Sequence, residues 1–148
     1  MRIWVDADAM PREVREILFR AAARLELETI LVSNQRIPTP PGNGHVRTVR
    51  VAFGPDVADH HVVAEARPGD LAVTADIPLA AALVEKGVKV VDPRGEEYDA
   101  GNVGERLSIR DFMTSLRDVG VETGGPKPYT ARDRHAFAAA LDRILTAL

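Results

Sequence analysis

Residues 1–11, MRIWVDADAMP, set a short apolar run, Ile3 to Val5, directly before two carboxylates, Asp6 and Asp8, and then a proline. The run reads as a buried strand. Pro11 suits a helix start, because its fixed φ fits the first turn and it lacks an N–H that would go unpaired there. The predicted helix, Glu13 to Leu25, repeats Val14, Ile17, Leu18 and Leu25 at helical spacing. A strand that passes through an acidic turn into a helix is one unit of an α/β fold, and it leaves the acids at the strand's carboxyl end.

The same alternation continues along the chain. Thr29 to Ser33 (TILVS) is a second buried strand, followed by Asn34 and a proline-rich loop, RIPTPPGNGH, expected to be exposed and irregular; Val46 to Val51 is a third strand. Gly54 and Pro55 break the chain, and Asp56 to Ala66 is predicted helical. After the turn RPGD come a fourth strand, Leu71 to Thr74, a helix from Pro78 to Lys86 ended by Gly87, and a fifth strand, Val88 to Val91. The expected fold is a three-layer α/β/α sandwich with a mainly parallel central sheet.

Further on, Ser108 to Arg117 sets Ile109, Phe112, Met113 and Leu116 on one face, with Ser108 and Asp111 spaced as a capping box and Gly120 as a stop. Thr130 and Asp133 repeat that spacing before a helix carrying Phe137, Leu141, Ile144, Leu145 and Leu148. These helices need an apolar partner, and the α/β layer is the obvious one. The chain is therefore expected to form a single domain over 1–148, with an α/β core at 1–103 and a C-terminal helical extension at 104–148 packed on it.

At 148 residues the chain can bury roughly 70% of the surface it exposes when unfolded. It has no cysteine, which excludes disulfides, thiolate zinc sites and a cysteine nucleophile, so any metal must be held by oxygen or imidazole. The start has no signal-peptide pattern and no apolar run is long enough to cross a bilayer, so a cytoplasmic protein with no membrane partner is expected. The formal charge is -3, from 19 basic and 22 acidic residues, and no global basic field advertises nucleic acid. Sixteen of the basic residues are arginine, which suits phosphate recognition, although a general bias of a composition rich in Ala, Arg, Gly and Pro is the favoured explanation.

In an open parallel sheet, ligands bind beyond the carboxyl ends of the strands. Asp6 and Asp8 follow the first strand, Asp76 the fourth (VTADIP) and Asp92 the fifth (VVDPRG), while Asp56 and Asp59 open the helix before the fourth. Carboxylates crowded at one edge repel, and the usual relief is a hard divalent cation or a raised pKa. Each acid also has a purely structural reading. Asp76 can cap the helix before Pro78, Asp56 can be an N-cap with Asp59 favouring the helix dipole, and Asp8 and Asp92 can be turn residues. Asp6 is hardest to explain that way, since it continues an apolar strand where a lone charge is costly. His61 and Glu65 share a zinc-compatible spacing, but no second histidine supports it, and His60 and His61 read as ordinary helix-surface residues.

The segments IWVDADAMP, LVSNQ, PDVADHHVV, GDLAVTADIPLA, VDPRGEEYDAGNV and GGPKPYTARDRHAF together resemble the YaiI/YqxD family of bacterial proteins, over nearly the whole chain. That family looks like a branch of the PIN-like nuclease superfamily. The resemblance implies a PIN-like domain in which separated acids bind Mg2+ or Mn2+ for phosphodiester hydrolysis. It makes Asp6, Asp59 and Asp76 the catalytic, metal-binding acids, with Asp8 in the same first motif. Asn34 and Thr74 become polar groups on the rim and Arg94 a phosphate contact. Many relatives have cysteine where this chain has Met10, which argues against a catalytic thiol.

In GGPKPYTARDR, Lys127, Arg132 and Arg134 lie near a glycine turn and a helix N-terminus, where backbone N–H groups can meet phosphate. The same segment reads equally as a tight turn and a surface helix with Tyr129 at the join.

The leading expectation is a metal-dependent ribonuclease. A second reading takes Asp6 as the nucleophile of a haloacid-dehalogenase-type phosphatase, with Ser33 and Lys86 in support. A third keeps the acidic edge as a non-catalytic site for metal-bound nucleotide or RNA. Nothing in the sequence sets the oligomeric state.

Overall fold

The computed structural model describes residues 1–125 and 127–148; Pro126, inside the predicted GGPKP turn, lies outside the described residues. One six-stranded sheet runs in the order β3-β2-β1-β4-β5-β6. The strands are β1 (Ile3–Asp6), β2 (Thr29–Ser33), β3 (Val46–Arg50), β4 (Leu71–Val73), β5 (Lys89–Val91) and β6 (Glu97–Tyr98), all parallel except β6, which pairs antiparallel with β5. The helices are α1 (Arg12–Leu25), α2 (Val57–Glu65), α3 (Ile77–Glu85), α4 (Val103–Asp118) and α5 (Ala131–Thr146).

Every residue of β2 is buried, as expected for a parallel strand covered on both faces. Alternation along β1 sends Ile3 and Val5 to one side, where they meet Val14, Leu18 and Ala22 of α1 and Phe137, Leu141 and Ile144 of α5. It sends Trp4 to the other, against Val62 of α2 and Leu79, Ala80 and Leu83 of α3. The result is the expected α/β/α sandwich. Because α5 supplies Phe137, Ala140, Leu141, Ile144 and Leu145 to the core, it belongs to the layer with α1.

Chain order places the topological switch between β1 and β4. The chain builds outward from β1 through β2 to β3, then returns to lay β4, β5 and β6 on its other side. Asp6 pairs in register with Val32, at the carboxyl end of β1 and beside this switch.

Several local expectations are corrected. The helix expected to start at Ser108 begins at Val103, so Ser108 and Asp111 are interior and form no capping box. The preceding turn starts it early, with Asp99 Oδ1 accepting from the N–H groups of Gly101 and Asn102 and the Asp99 carbonyl from Val103 N–H. Nor does α4 bury its apolar face. None of its residues is buried, and Phe112 is 62% and Ile109 49% exposed. Asp56 is no side-chain cap: it holds φ 61, a left-handed conformation that aspartate tolerates better than most residues, and makes no cap bond. The two-residue β6 was not expected from the sequence, being too short for a period.

The Thr130–Asp133 capping box does form, and Gly120 follows α4 at φ 88. No described helix is long and apolar enough to cross a membrane.

Candidate active site

At the carboxyl end of β1, Asp6 Oδ2 accepts a 2.9 Å hydrogen bond from Thr74 Oγ1, just past β4. That hydroxyl oxygen in turn accepts from Asp76 N–H at 3.0 Å, and Asp76 Oδ1 caps α3 by accepting from Leu79 N–H at 3.0 Å. The relay ties the two strand ends together, so the apolar pairing of β1 with β4 aims both carboxyls at one place. Asp8 is held from the other side. Its carboxylate accepts from Ser33 Oγ at 2.5 Å and from Asn34 N–H at 3.0 and 3.2 Å.

Asp6, Asp8, Asn34, Asp56, Asp59 and Asp76 line one open pocket of about 230 Å3, closed along one edge by Val51, Ala52 and Gly54. Five of the acids singled out from sequence are thereby brought together from three parts of the chain. Thr74 is fully buried behind them as the orienting group. The amide oxygen of Asn34, in the wall of this pocket, is buried without a hydrogen-bond partner among the described residues.

Electrostatics record the crowding. Burial pushes the Asp6 carboxyl up; the Thr74 bond pulls it back, and the charges of Asp76 and Asp8 raise it further. Asp59 is pushed up to about 6, first by burial, then by the charges of Asp76 and Asp6 and by a hydrogen bond shared with Asp76. Among the described residues, no three His, Asp or Glu side chains surround a common point at ligating distance. The donors are nonetheless all hard oxygens, and Mg2+ or Mn2+ keeps much of its water and needs only one or two carboxylates. The donor chemistry fits such an ion, with Asp6, Asp8, Asp59 and Asp76 the residues that would hold it.

The other sequence candidates lie elsewhere. Asp92 closes the β5–β6 turn, accepting from Arg94 and Glu96 N–H. Arg94 sends its guanidinium to Asp133 Oδ2 at 2.6 Å and to the carbonyls of Pro128 and Lys127, with its charge 5.8 Å from the centre of the Tyr129 ring. Tyr129 OH donates to Pro93 O at 2.8 Å, completing a clasp between the turn and the start of α5. Lys127, Arg132 and Arg134 are exposed around that clasp and do not line the acidic pocket. Lys86 Nζ donates to Val63 O at 2.6 Å and to Ala64 O, tying the end of α3 to the end of α2. The His61 ring meets Trp4 edge to face at 6.2 Å.

Two features escaped the sequence reading. Phe53 is 84% exposed between Ala52 and Gly54, which line the pocket. An aromatic residue before Gly-Pro in a loop after a strand was the signal for it. On α4, Arg106, Arg110 and Arg117 face a second groove of about 430 Å3 whose wall includes Ile77. Their spacing was legible, but the apolar stripe of the same helix drew the attention. A larger groove of about 540 Å3 between the second halves of α1 and α5 is lined by Arg20, Arg24 and Asp142 beside Ile17, Leu141 and Leu145, away from the strand ends where the acids gather.

A family model described as "Uncharacterized BCR, YaiI/YqxD family" matches residues 4–147. A UPF0178 protein of Myxococcus xanthus (strain DK1622) is 56% identical over 148 residues, covering 100% of this chain and 96% of the relative. A UPF0178 protein of Dechloromonas aromatica (strain RCB) is 52% identical over 145 residues, covering 98% and 96%. No solved structure matches the chain.

Proposed function

The chain belongs to the YaiI/YqxD family, and from its acidic pocket we infer a divalent-metal-dependent phosphodiester hydrolase of PIN-like type acting on RNA. One observation carries the reading: Asp6, Asp8, Asp59 and Asp76 share the wall of one pocket at the switch point of a parallel sheet. A bound Mg2+ or Mn2+ would neutralise phosphoryl charge and lower the pKa of water. The residues have separable tasks. Thr74 fixes the direction of the Asp6 carboxylate, and Ser33 and the Asn34 N–H fix that of Asp8.

Asp59, whose carboxyl is pushed up to about 6 by burial and by the charges of Asp76 and Asp6, can take the proton lost by a water attacking phosphorus in line. The P–O bond opposite the water then breaks, and the leaving oxygen takes up a proton, from Asp59 or from the water that fills the open pocket. The unpaired amide oxygen of Asn34 is an acceptor waiting for a donor, and a ribose 2′-hydroxyl is one. Phe53 offers an exposed ring on the rim for an unstacked base. The phosphatase reading is weaker, because Lys86 is spent on the carbonyls of Val63 and Ala64.

The test pairs Mn2+ calorimetry with cleavage of a labelled RNA. Binding is expected in the wild type, with turnover lost in Asp6→Asn and in Asp76→Asn. Absence of Mg2+ and Mn2+ binding, or cleavage that survives both substitutions, would overturn the assignment.

A further inference from the structure

Helix α4 carries Ile109, Phe112, Met113 and Leu116 yet buries none of its side chains. Between it, the start of α3, β6 and the segment 123–125 lies the groove of about 430 Å3. Arg106, Arg110, Met113 and Arg117 reach this groove together, because steps of four, three and four residues return to one face of a helix.

The three arginines differ in how far they are neutralised. Arg106 is paired with Glu96. Among the described residues, Arg110 pairs with its exposed chain neighbour Asp111, at 3.3 Å, a pairing worth little in water. Arg117 donates to the hydroxyls of Thr123 at 3.1 Å and Thr114 at 3.3 Å, which orient the guanidinium without cancelling its charge. A chain of net charge -3 thus keeps two cations over an apolar floor of Ile77, Ile109 and Met113. The groove begins next to the acidic pocket in the chain: Ile77 in its wall directly follows Asp76 in the wall of the other.

We propose that this groove is the track along which a single nucleic-acid strand runs into the acidic pocket, with Arg110 and Arg117 holding its phosphates. The assignment rests on reading that pocket as a phosphodiesterase site. Charge complementarity selects a polyanion, and the apolar floor selects a single strand, whose bases and riboses are free to lie on it. A duplex hides its base faces and would leave that floor unused. From Arg110 to Arg117 the helix rises about 10 Å, well beyond the roughly 3.4 Å rise per phosphate of a stacked strand, so the pair can hold separate phosphates.

The experiment is a fluorescence-anisotropy titration of the full chain with a 5′-labelled single-stranded oligouridylate in chelator, repeated between about 50 and 200 mM salt. Arg110→Gln combined with Arg117→Gln is expected to weaken binding about tenfold at the lower salt and to flatten the salt slope by about 1.4, at about 0.7 per phosphate contact. Arg117→Lys, which keeps the charge, should retain most of the affinity. Arg20→Gln with Arg24→Gln, the same charge change at the α1–α5 groove, should stay within about twofold of wild type if the effect is local.

Wild-type affinity in the Arg110/Arg117 double variant, equal losses in both double variants, no binding by the wild type, or full displacement of the RNA by an acidic polypeptide would each overturn the track. The two assignments separate cleanly. RNA cleavage that survives Asp6→Asn and Asp76→Asn, beside lost binding in the Arg110/Arg117 variant, sinks the hydrolase and leaves the track standing.

Discussion

The carboxyls of Asp59, in the first turn of α2, and Asp76, the N-cap of α3, stand within hydrogen-bonding reach of each other. Both cannot be ionised there without repulsion, and Asp59 holds its proton up to about 6 against an ordinary 3.8. Between those values the folded chain binds more protons than the unfolded one, so stability falls as pH rises through this window. The full displacement corresponds to about 3 kcal/mol at neutral pH, and water around a half-exposed carboxyl cuts that to about 1 kcal/mol. In chelator, Asp59→Asn should therefore raise Tm by about 2–4 °C near pH 7 and leave it unchanged near pH 4. An equal gain at both pH values in a thermal melt would contradict the raised Asp59 carboxyl.

Mn2+ should relieve the same repulsion. At about a hundredfold excess over its Kd, a bound ion stabilises by about 2.7 kcal/mol, a Tm rise of roughly 5–10 °C for a chain of this size. Asp6→Asn and Asp76→Asn are each expected to lose most of that rise while folding normally. A rise undiminished in both variants would place the ion elsewhere.

At the opposite edge of the sheet, Asp70 tests the fold without touching the site. Burial alone would raise its pKa, but hydrogen bonds from the N–H groups of Arg67 and Arg2 and from Trp4 Nε1, together with the Arg2 charge, hold it below the ordinary range. Its contribution is present above the unfolded carboxylate value and disappears as pH falls through the lower folded one. Asp70→Ala strands those donors and should cost about 3 kcal/mol at neutral pH. Urea denaturation is the measurement, and a loss that persists undiminished near pH 2 would argue against the charged network.

Gly95 sits at φ +88, where an added Cβ would lie 2.5 Å from Ala136 O and 2.9 Å from Phe137 N on α5. Those atoms are backbone and cannot swing aside. Gly95→Ala should push α5 off the sheet and destabilise by about 3 kcal/mol or more. A Tm within a degree or so of wild type would show the β5–β6 turn adapting instead.

Arg94 separates a clasp from a phosphate contact. With its guanidinium committed to Asp133 and the carbonyls of Lys127 and Pro128, Arg94→Ala should speed amide exchange across 127–133 and leave RNA affinity within about twofold. Unchanged exchange with weakened RNA binding would restore the phosphate role implied by family resemblance.

Several features of the site were legible because their signals are local. The apolar run before Asp6, the turn before Asp76 and the strand-end rule together located the acids at one sheet edge before any coordinates. The alternation of buried strands and helices likewise carried the layer order, and Thr130 with Asp133 announced a capping box that forms. Asp56 misled for an equally physical reason: an acid at a helix start is usually a cap, and only the path of the chain around Gly54 and Pro55 puts it in a left-handed turn.

What the sequence determined by itself is therefore the periodic part: the α/β class, the buried strands and the set of acids at their ends, all written in spacings of two or about four residues. What only tertiary structure decided is how each side chain is spent. Thr74 serves Asp6, Ser33 serves Asp8, Arg94 clasps α5, and Lys86 ties α3 to α2. Arg110 and Arg117 are left facing a groove beside Asp76. These pairings join residues far apart in the chain, and a hydrogen bond of about 3 Å depends on where the whole backbone has carried both partners, which no local pattern encodes.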